Sequence, residues 1–335
     1  MPRAPLRIGI LGTAKIARSF AQGVRPSPHV AVTAVASRSA DRARQFAQET
    51  AIPRHFDDYE ALLADPDIDA VYNPLPNSLH AEWSMRAIRA GKPVLCEKPV
   101  AASAQEARAM FAAAEQHGVH LVEGFPYRAQ PQTLKLRELL DAGAIGETRL
   151  VQATFGFTLT DAANIRLNPA LAGGALMDVG TYPVSLIRLI ATQPPTRVTA
   201  VAHWSGGVDR TLAATLEFAG GLIAQVSCGF DVALYRQALI VGSKGVIRTS
   251  FLNHTSPQNP GELFLREGVD ATAVEKIIQT DSTNGFLAEA ESFERLVREG
   301  TPQWTGASPE ESIDIMLTLD ALLESARIGR AVEID

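Results

Sequence analysis

The sequence predicts an α/β protein in two parts: an N-terminal doubly wound parallel sheet and a C-terminal α+β domain with a mainly antiparallel open sheet. Three observations lead there. Over residues 1–124, short near-continuous apolar runs alternate with helical patterns, as expected of a parallel sheet covered on both faces. Over residues 125–335, strand patterns follow one another directly across Gly220-Gly221 and Ser243-Lys244, which read as hairpin turns. A length of 335 residues suits two domains of ordinary size, each able to bury a core.

In the first part, strands are expected at 6–11, 30–36, 54–56, 69–72, 93–96 and 119–123. Helices are expected at 14–23, 41–50, 59–64, 79–90 and 103–117, with Gly91 and Gly118 as stops. The second part opens with a helix at 132–142 and a long strand at 147–157. A Gly-rich segment and a helical stretch to residue 191 follow, then strands at 197–204, 211–218, 222–230, 238–241 and 245–250. Helices at 285–299 and 310–328 close the chain. With no linker of low complexity, the domains are expected to abut near 124–127, with a cleft between them.

Composition removes several classes of function. Hydrophobic residues make up 46% of the chain, too many for a disordered protein. A net charge of −6 argues against nucleic acid or an anionic membrane as the main partner. No run of about 18 apolar residues is present, so no membrane span is expected. The opening MPRAPLRIGILG has a strand pattern where a signal peptide would need an apolar stretch and cleavage site. Cys96 and Cys228 are far apart and form no C-x-x-C pair, and the seven histidines show no metal-ligand spacing. A cytoplasmic protein without a metal is the expectation.

Three clusters carry chemistry. Gly12-Thr13-Ala14-Lys15-Ile16-Ala17 joins the first strand to the first helix as G-x-A-x-x-A. Gly12 would permit the tight turn, Ala14 close approach of a pyrophosphate to the helix N-terminus, and Ala17 close helix–sheet packing. Small residues in an ordinary strand–helix turn would look the same, and the position at the head of a βαβ unit favours a dinucleotide. The second strand ends in Ser37-Arg38-Ser39, where an NAD site would place a carboxylate on the ribose. A hydroxyl and a guanidinium suit a 2′-phosphate, so NADP is expected over NAD. Ser39 also reads as a helix N-cap.

Glu97-Lys98-Pro99 lies just past a strand's carboxyl end, where Lys98 could hold a substrate hydroxyl and Pro99 could adopt a cis bond. A solvated turn is the plainer reading of those residues alone. In Gly173-Gly174-Ala175-Leu176-Met177-Asp178-Val179-Gly180-Thr181-Tyr182, a helix would put Asp178 and Tyr182 on one face, able to accept and relay a proton. The glycine pair would let backbone approach a ligand. A capped helix with a half-buried Tyr182 and a solvated Asp178 is the alternative, and Pro183 disturbs the i, i+4 geometry.

Together these motifs resemble the Gfo/Idh/MocA oxidoreductases, over essentially the whole chain. The stretch 71–80, Val-Tyr-Asn-Pro-Leu-Pro-Asn-Ser-Leu-His, and the tail 320–326 are similar as well. Tyr182 aligns the chain with the tyrosine-containing branch, which includes glucose–fructose oxidoreductase, dimeric dihydrodiol dehydrogenase and NADP-dependent D-xylose dehydrogenase. The resemblance implies a Rossmann domain and hydride transfer between a nicotinamide and a carbinol or carbonyl carbon of a sugar or diol. It implies catalytic roles for Lys98, Tyr182 and Asp178, and substrate contacts from Lys98, Tyr127, Asp178 and Tyr182. Cofactor contacts would come from Gly12, Thr13, Ala14, Lys15, Ile16, Ser37, Arg38, Leu75, Asn77, His80, Glu97 and Arg166. The Trp usual before that Arg is Ile165 here.

The implied mechanism has Tyr182, acidified by the Lys98 charge, take the hydroxyl proton while hydride leaves the same carbon. An aldose 1-dehydrogenase acting on D-xylose or D-glucose is the first expectation. A trans-dihydrodiol dehydrogenase, a ketose reductase and a non-catalytic NAD(P)-binding regulator are the alternatives. The second domain's sheet is expected to pair copies into a homodimer or homotetramer.

Overall fold

The computed structural model describes residues 3–334; Met1 and Pro2 of the opening segment and Asp335 of the second expected domain lie outside them. The chain forms two compact units. The first comprises residues up to Ala129 together with Asn284–Pro309, and the second comprises Gln130–Thr283 and the segment from Glu310 onward.

The first unit runs β1 (Leu6–Leu11), α1 (Lys15–Val24), β2 (Val30–Ala36), α2 (Ala40–Thr50), β3 (Arg54–Phe56), α3 (Tyr59–Ala64), β4 (Ala70–Asn73), α4 (His80–Arg89), β5 (Val94–Glu97), α5 (Ala104–His117) and β6 (Leu121–Gly124). All strands pair in parallel, in the order β3-β2-β1-β4-β5-β6. The side on which successive strands are added switches between β1 and β4, and the crevice at the carboxyl ends of such a switch is where doubly wound folds take ligands. Ser39 caps α2 and Ser103 caps α5, each accepting a backbone N–H three residues on.

The second unit begins with α6 (Pro131–Asp141) and β7 (Thr148–Thr158). It continues through α7 (Thr181–Ala191), β8 (Arg197–Ser205), β9 (Val208–Glu217), β10 (Ile223–Gly229), β11 (Asp231–Gly242) and β12 (Gly245–Thr249). Then come β13 (Gly261–Glu267) and β14 (Glu275–Thr280). After α8 (Gly285–Glu299), which belongs to the first unit, α9 (Pro309–Ile328) and β15 (Val332–Glu333) end the chain. The sheet order is β14-β13-β12-β11-β7-β10-β9-β8-β15, antiparallel except for the β7–β10 pair. One face is core, with Val151, Ala153, Ala224, Val226, Cys228, Ala238 and Ile240 buried.

Two expectations about organisation are corrected. The helix at 285–299, assigned from sequence to the second domain, packs in the first. Its apolar stripe Phe286, Ala290, Phe293 and Leu296 shares one core with Ile8, Ile10, Phe20 and Tyr72. Phe20 stacks on Tyr72 and meets Phe286 edge-on at 5.8 Å. Residues 125–129 also fall in the first unit. By length and composition the stretch Pro169–Ala191 could be compared with a membrane span, but 78% of its apolar window is buried in the fold, as in a core helix.

Candidate active site

In the first unit, Gly12 turns the chain from β1 into α1 with φ +89°, a conformation that favours glycine. A Cβ there would lie 2.9 Å from Leu75 Cδ2 and 3.7 Å from the Tyr59 hydroxyl. Ala14 stands at the N-cap of α1 without a side-chain cap, and no carboxylate lies in the first turn. The leading amides of α1 are thus left to an anion. Thr13 and Ala14 are half-buried, Lys15 and Ile16 exposed, and Ala17 is sealed against the sheet. Beyond β2, Ser37 is buried and accepts the Ser39 N–H at 3.3 Å, while Arg38 is exposed. Burial raises the Tyr59 pKa, and the charge of nearby Arg38 opposes it. No carboxylate replaces the guanidinium at this strand end, so the turn fits a phosphorylated ribose.

The Glu97-Lys98-Pro99 turn is clamped from three sides. Tyr72 donates to Glu97 Oε1 at 2.6 Å. Val100 N–H donates to Glu123 Oε1 at 3.0 Å, and His80 Nδ1 meets the Pro99 carbonyl at 2.7 Å. The Lys98-Pro99 peptide bond is cis. Lys98 itself is half-buried. Glu97 is buried beside Tyr72, so its role in the structure is to brace this turn.

His80, expected to touch cofactor, is instead enclosed. Its Nε2 meets the Leu75 carbonyl at 2.7 Å, so both ring nitrogens face backbone carbonyls. Burial pushes its pKa down to about 4, against the two carbonyls and with the Lys98 charge adding to the depression. The imidazole ties the Leu75 loop to the Pro99 turn and offers no nitrogen to a ligand. Asn73, overlooked in the sequence, supports the same loop: it accepts from Leu75 N–H and donates to His80 O and Ser84 Oγ. Asn77 is half-buried at the start of a short 3-10 turn on this loop. Tyr127 is fully buried, edge-on to Phe125 at 6.0 Å, so the substrate contact expected of it has no exposed ring to rest on.

In the second unit, the glycine pair makes room for the chain's own groups. A Cβ on Gly173 would fall on the Arg166 carbonyl, and one on Gly174, at φ +125°, on the Asp209 carboxylate. Asp209 is buried, accepts the Leu176 N–H at 2.7 Å, and has its pKa raised by burial. It anchors the start of a π-turn over Leu176–Gly180 that leads into α7. Pro183 has no N–H to return to the Val179 carbonyl, and the chain ahead of it winds wider than an α-helix.

Asp178 lies on that π-turn and Tyr182 in the first turn of α7. Asp178, nearly buried, receives Arg166 Nε on Oδ2 at 2.6 Å. The Tyr182 phenol oxygen accepts Asn253 Nδ2 at 3.1 Å. Asn253 Oδ1 in turn accepts Arg236 Nη2 at 3.0 Å. The Arg236 guanidinium lies 4.5 Å from the centre of the Tyr182 ring, 4.6 Å from Phe155 and 4.7 Å from Phe251. Tyr182 thus has partners the sequence did not reveal. Arg236 lies in the part of β11 not recognised as strand, and Asn253 lies between β12 and β13, where no motif marks it.

Comparison with known proteins agrees with this geometry. Residues 6–125 match the model of an oxidoreductase family with an NAD-binding Rossmann fold, GFO/IDH/MocA. Residues 133–248 match the GFO/IDH/MocA C-terminal domain. The chain is 40% identical over 335 residues to a D-xylose 1-dehydrogenase (NADP(+)) of Haloferax volcanii, covering 98% of this chain and 100% of that one. It is 36% identical over 247 residues to a trans-1,2-dihydrobenzene-1,2-diol dehydrogenase of Danio rerio, covering 72% and 74%. A solved 3-ketoreductase from Actinomadura kijaniata, in complex with NADP and TDP-benzene, superposes with a TM-score of 0.86 at 31% identity, covering 96% of this chain and 98% of that one.

Proposed function

The chain belongs to the GFO/IDH/MocA family of oxidoreductases, and from that premise we propose that it is an NADP-dependent aldose 1-dehydrogenase. The single observation that carries the reading is the 40% identity over 98% of this chain to an enzyme named for D-xylose and NADP. The Ser37-Arg38 strand end, with a guanidinium where an NAD enzyme would place a carboxylate, supports the phosphorylated cofactor. Gly12, the uncapped start of α1, Leu75 and Asn77 would hold the cofactor, with Arg166 as an additional contact. When bound, it supplies a nicotinamide carbon that accepts hydride.

The protein's own residues then handle the proton and the orientation. Tyr182 takes the proton from the sugar's anomeric hydroxyl, and Lys98 holds that oxygen. Asp178, fixed by Arg166, binds a neighbouring sugar hydroxyl. Glu97, Glu123 and His80 keep Lys98 in place without touching substrate.

Oxidation of a trans-dihydrodiol is the second reading, favoured by the relative named for that activity. A homodimer or homotetramer formed through the nine-stranded sheet is part of the same proposal, as is residence in the cytoplasm. Val201 on β8 and Ile223 on β10 stand exposed on the open face of that sheet, at separate register positions, and offer apolar area to a second copy.

The test is reduced-nicotinamide absorbance with NADP or NAD and a panel of D-xylose, D-glucose and an aromatic trans-dihydrodiol. Faster turnover of an aldose with NADP supports the reading. Preference for the dihydrodiol selects the second. Silence on the whole panel with NADP still bound would return the chain to a binding role.

A further inference from the structure

Around Tyr182 the second unit carries a polar relay that the reaction as described does not use. Arg236 has only donors, so the Asn253 atom facing it at 3.0 Å must be the carbonyl oxygen. That fixes the amide and turns its NH2 toward Tyr182, where it donates to the phenol oxygen at 3.1 Å. The phenol oxygen is therefore held as an acceptor. The same guanidinium lies against the Tyr182 ring at 4.5 Å, with Phe155 and Phe251 forming further walls.

The relay is built into rigid surroundings. Arg236 and Phe155 are register partners on β11 and β7. Gln130, fully buried at the start of α6, donates to the carbonyls of Asn253 and Thr283. Gln132, equally buried, accepts Leu252 N–H and donates to Glu262 O. Thr255 completes the frame by donating to Gln130 Oε1. A loop pinned at Leu252, Asn253 and Thr255 holds the amide where a free loop would let it rotate.

A cation against the ring and an amide N–H on the oxygen both favour negative charge on that oxygen. We infer that Arg236 and Asn253 are positioning residues that favour the phenolate form of Tyr182 and keep its proton-accepting lone pair aimed. The inference rests on the reading of Tyr182 as the acid–base group and deepens it.

Other ionisable groups of this unit around Tyr182 must be separated from it. Asp178 is paired with Arg166 on the adjoining π-turn. Cys228, on β10 behind Gly180, is a thiol pushed far up by burial. His254 follows Asn253 and is exposed as a residue, yet burial of its ring and then the Arg236 charge hold its pKa below the usual range.

The experiment is a pH profile of kcat/KM for aldose oxidation in wild type, Arg236→Met, Arg236→Lys, Asn253→Ala and His254→Gln. Arg236→Met is expected to move the rising limb toward higher pH by about one unit, a roughly tenfold loss near neutrality recovered in alkali. Arg236→Lys restores part of the shift, Asn253→Ala moves the limb in the same direction, and His254→Gln leaves it in place. A uniform loss at every pH, or a limb that follows His254, overturns the inference. Should Arg236→Met not fold, Asn253→Ala and an ultraviolet tyrosinate titration against Tyr182→Phe carry the test alone. Wild-type turnover in Tyr182→Phe would sink the parent function; an inactive Tyr182→Phe with an unmoved limb in folded Arg236→Met or Asn253→Ala sinks only this inference.

Discussion

Arg38 and Glu289 show how single side chains give the proposed account its sharpest edges. Arg38 stands exposed at the end of β2, where its guanidinium can donate to a phosphate. A charge-assisted bond of about 1.5–3 kcal/mol corresponds to roughly ten- to a hundredfold in affinity. Arg38→Ala is therefore expected to raise the KM for NADP by that factor and leave the KM for NAD nearly unchanged, as steady-state kinetics with each cofactor would show. Equal effects on the two would remove Arg38 from phosphate recognition. Glu289, on α8, is buried with neither carboxyl oxygen hydrogen-bonded. Burial raises its pKa well above 4.5, and the Glu97 charge adds to this. The folded state therefore keeps a proton that the unfolded chain releases above about pH 4.5. Stability should fall as pH rises from there toward the folded pKa, by up to about 1.4 kcal/mol per pH unit. Glu289→Gln, which never ionises, is expected to flatten that slope and to be more stable than wild type at neutral pH. Parallel denaturant titrations at several pH values would check it, and an unchanged slope would mean that Glu289 is ionised in the fold.

Elements tell a different story, because some were written locally and some were not. The strands at 6–11, 30–36 and 54–56 and the helices at 59–64 and 285–299 were legible to the residue, since apolar periodicity and capping residues agree there. The long β11 was read only at 238–241. An irregular register between Asp231 and Tyr235 breaks its alternation, and Leu234 is exposed. β14 was missed because it is an edge strand, with Glu275, Lys276 and Ile277 exposed. β13 did carry the period-two signal in Leu263 and Leu265. Of the proposed site, Lys98, Tyr182 and Gly12 were marked by local motifs, whereas Arg236 and Asn253 reach Tyr182 from distant segments and leave no motif. What Gly173 and Gly174 make room for was not legible for the same reason: the Arg166 carbonyl and Asp209 lie elsewhere in the chain. The identity of α8 was legible, but not its destination. Phe293, fully buried in the core of the first unit, tests that destination. Phe293→Ala is expected to cost about 3–5 kcal/mol, read by chemical denaturation, and to weaken NADP binding with the first unit. A loss below about 1 kcal/mol would contradict the packing of this helix in that core.

For the whole molecule, the fold divides the proposed labour between two units that are each folded around their own sheet. The first has the features of a dinucleotide site: the Gly12 turn, the uncapped α1, the Ser37-Arg38 strand end and a braced Lys98. The second brings Tyr182 on α7 with its Arg236–Asn253 relay, and Asp178 held by Arg166. The acid–base role of Tyr182 is the claim on which the function and the further inference both depend. The measurement that tests it most directly is NADP reduction with D-xylose by Tyr182→Phe, with NADP affinity determined on the same preparation. The account predicts a fall in kcat of at least about a hundredfold, with NADP binding within about twofold of wild type. Wild-type turnover in the folded variant would contradict it.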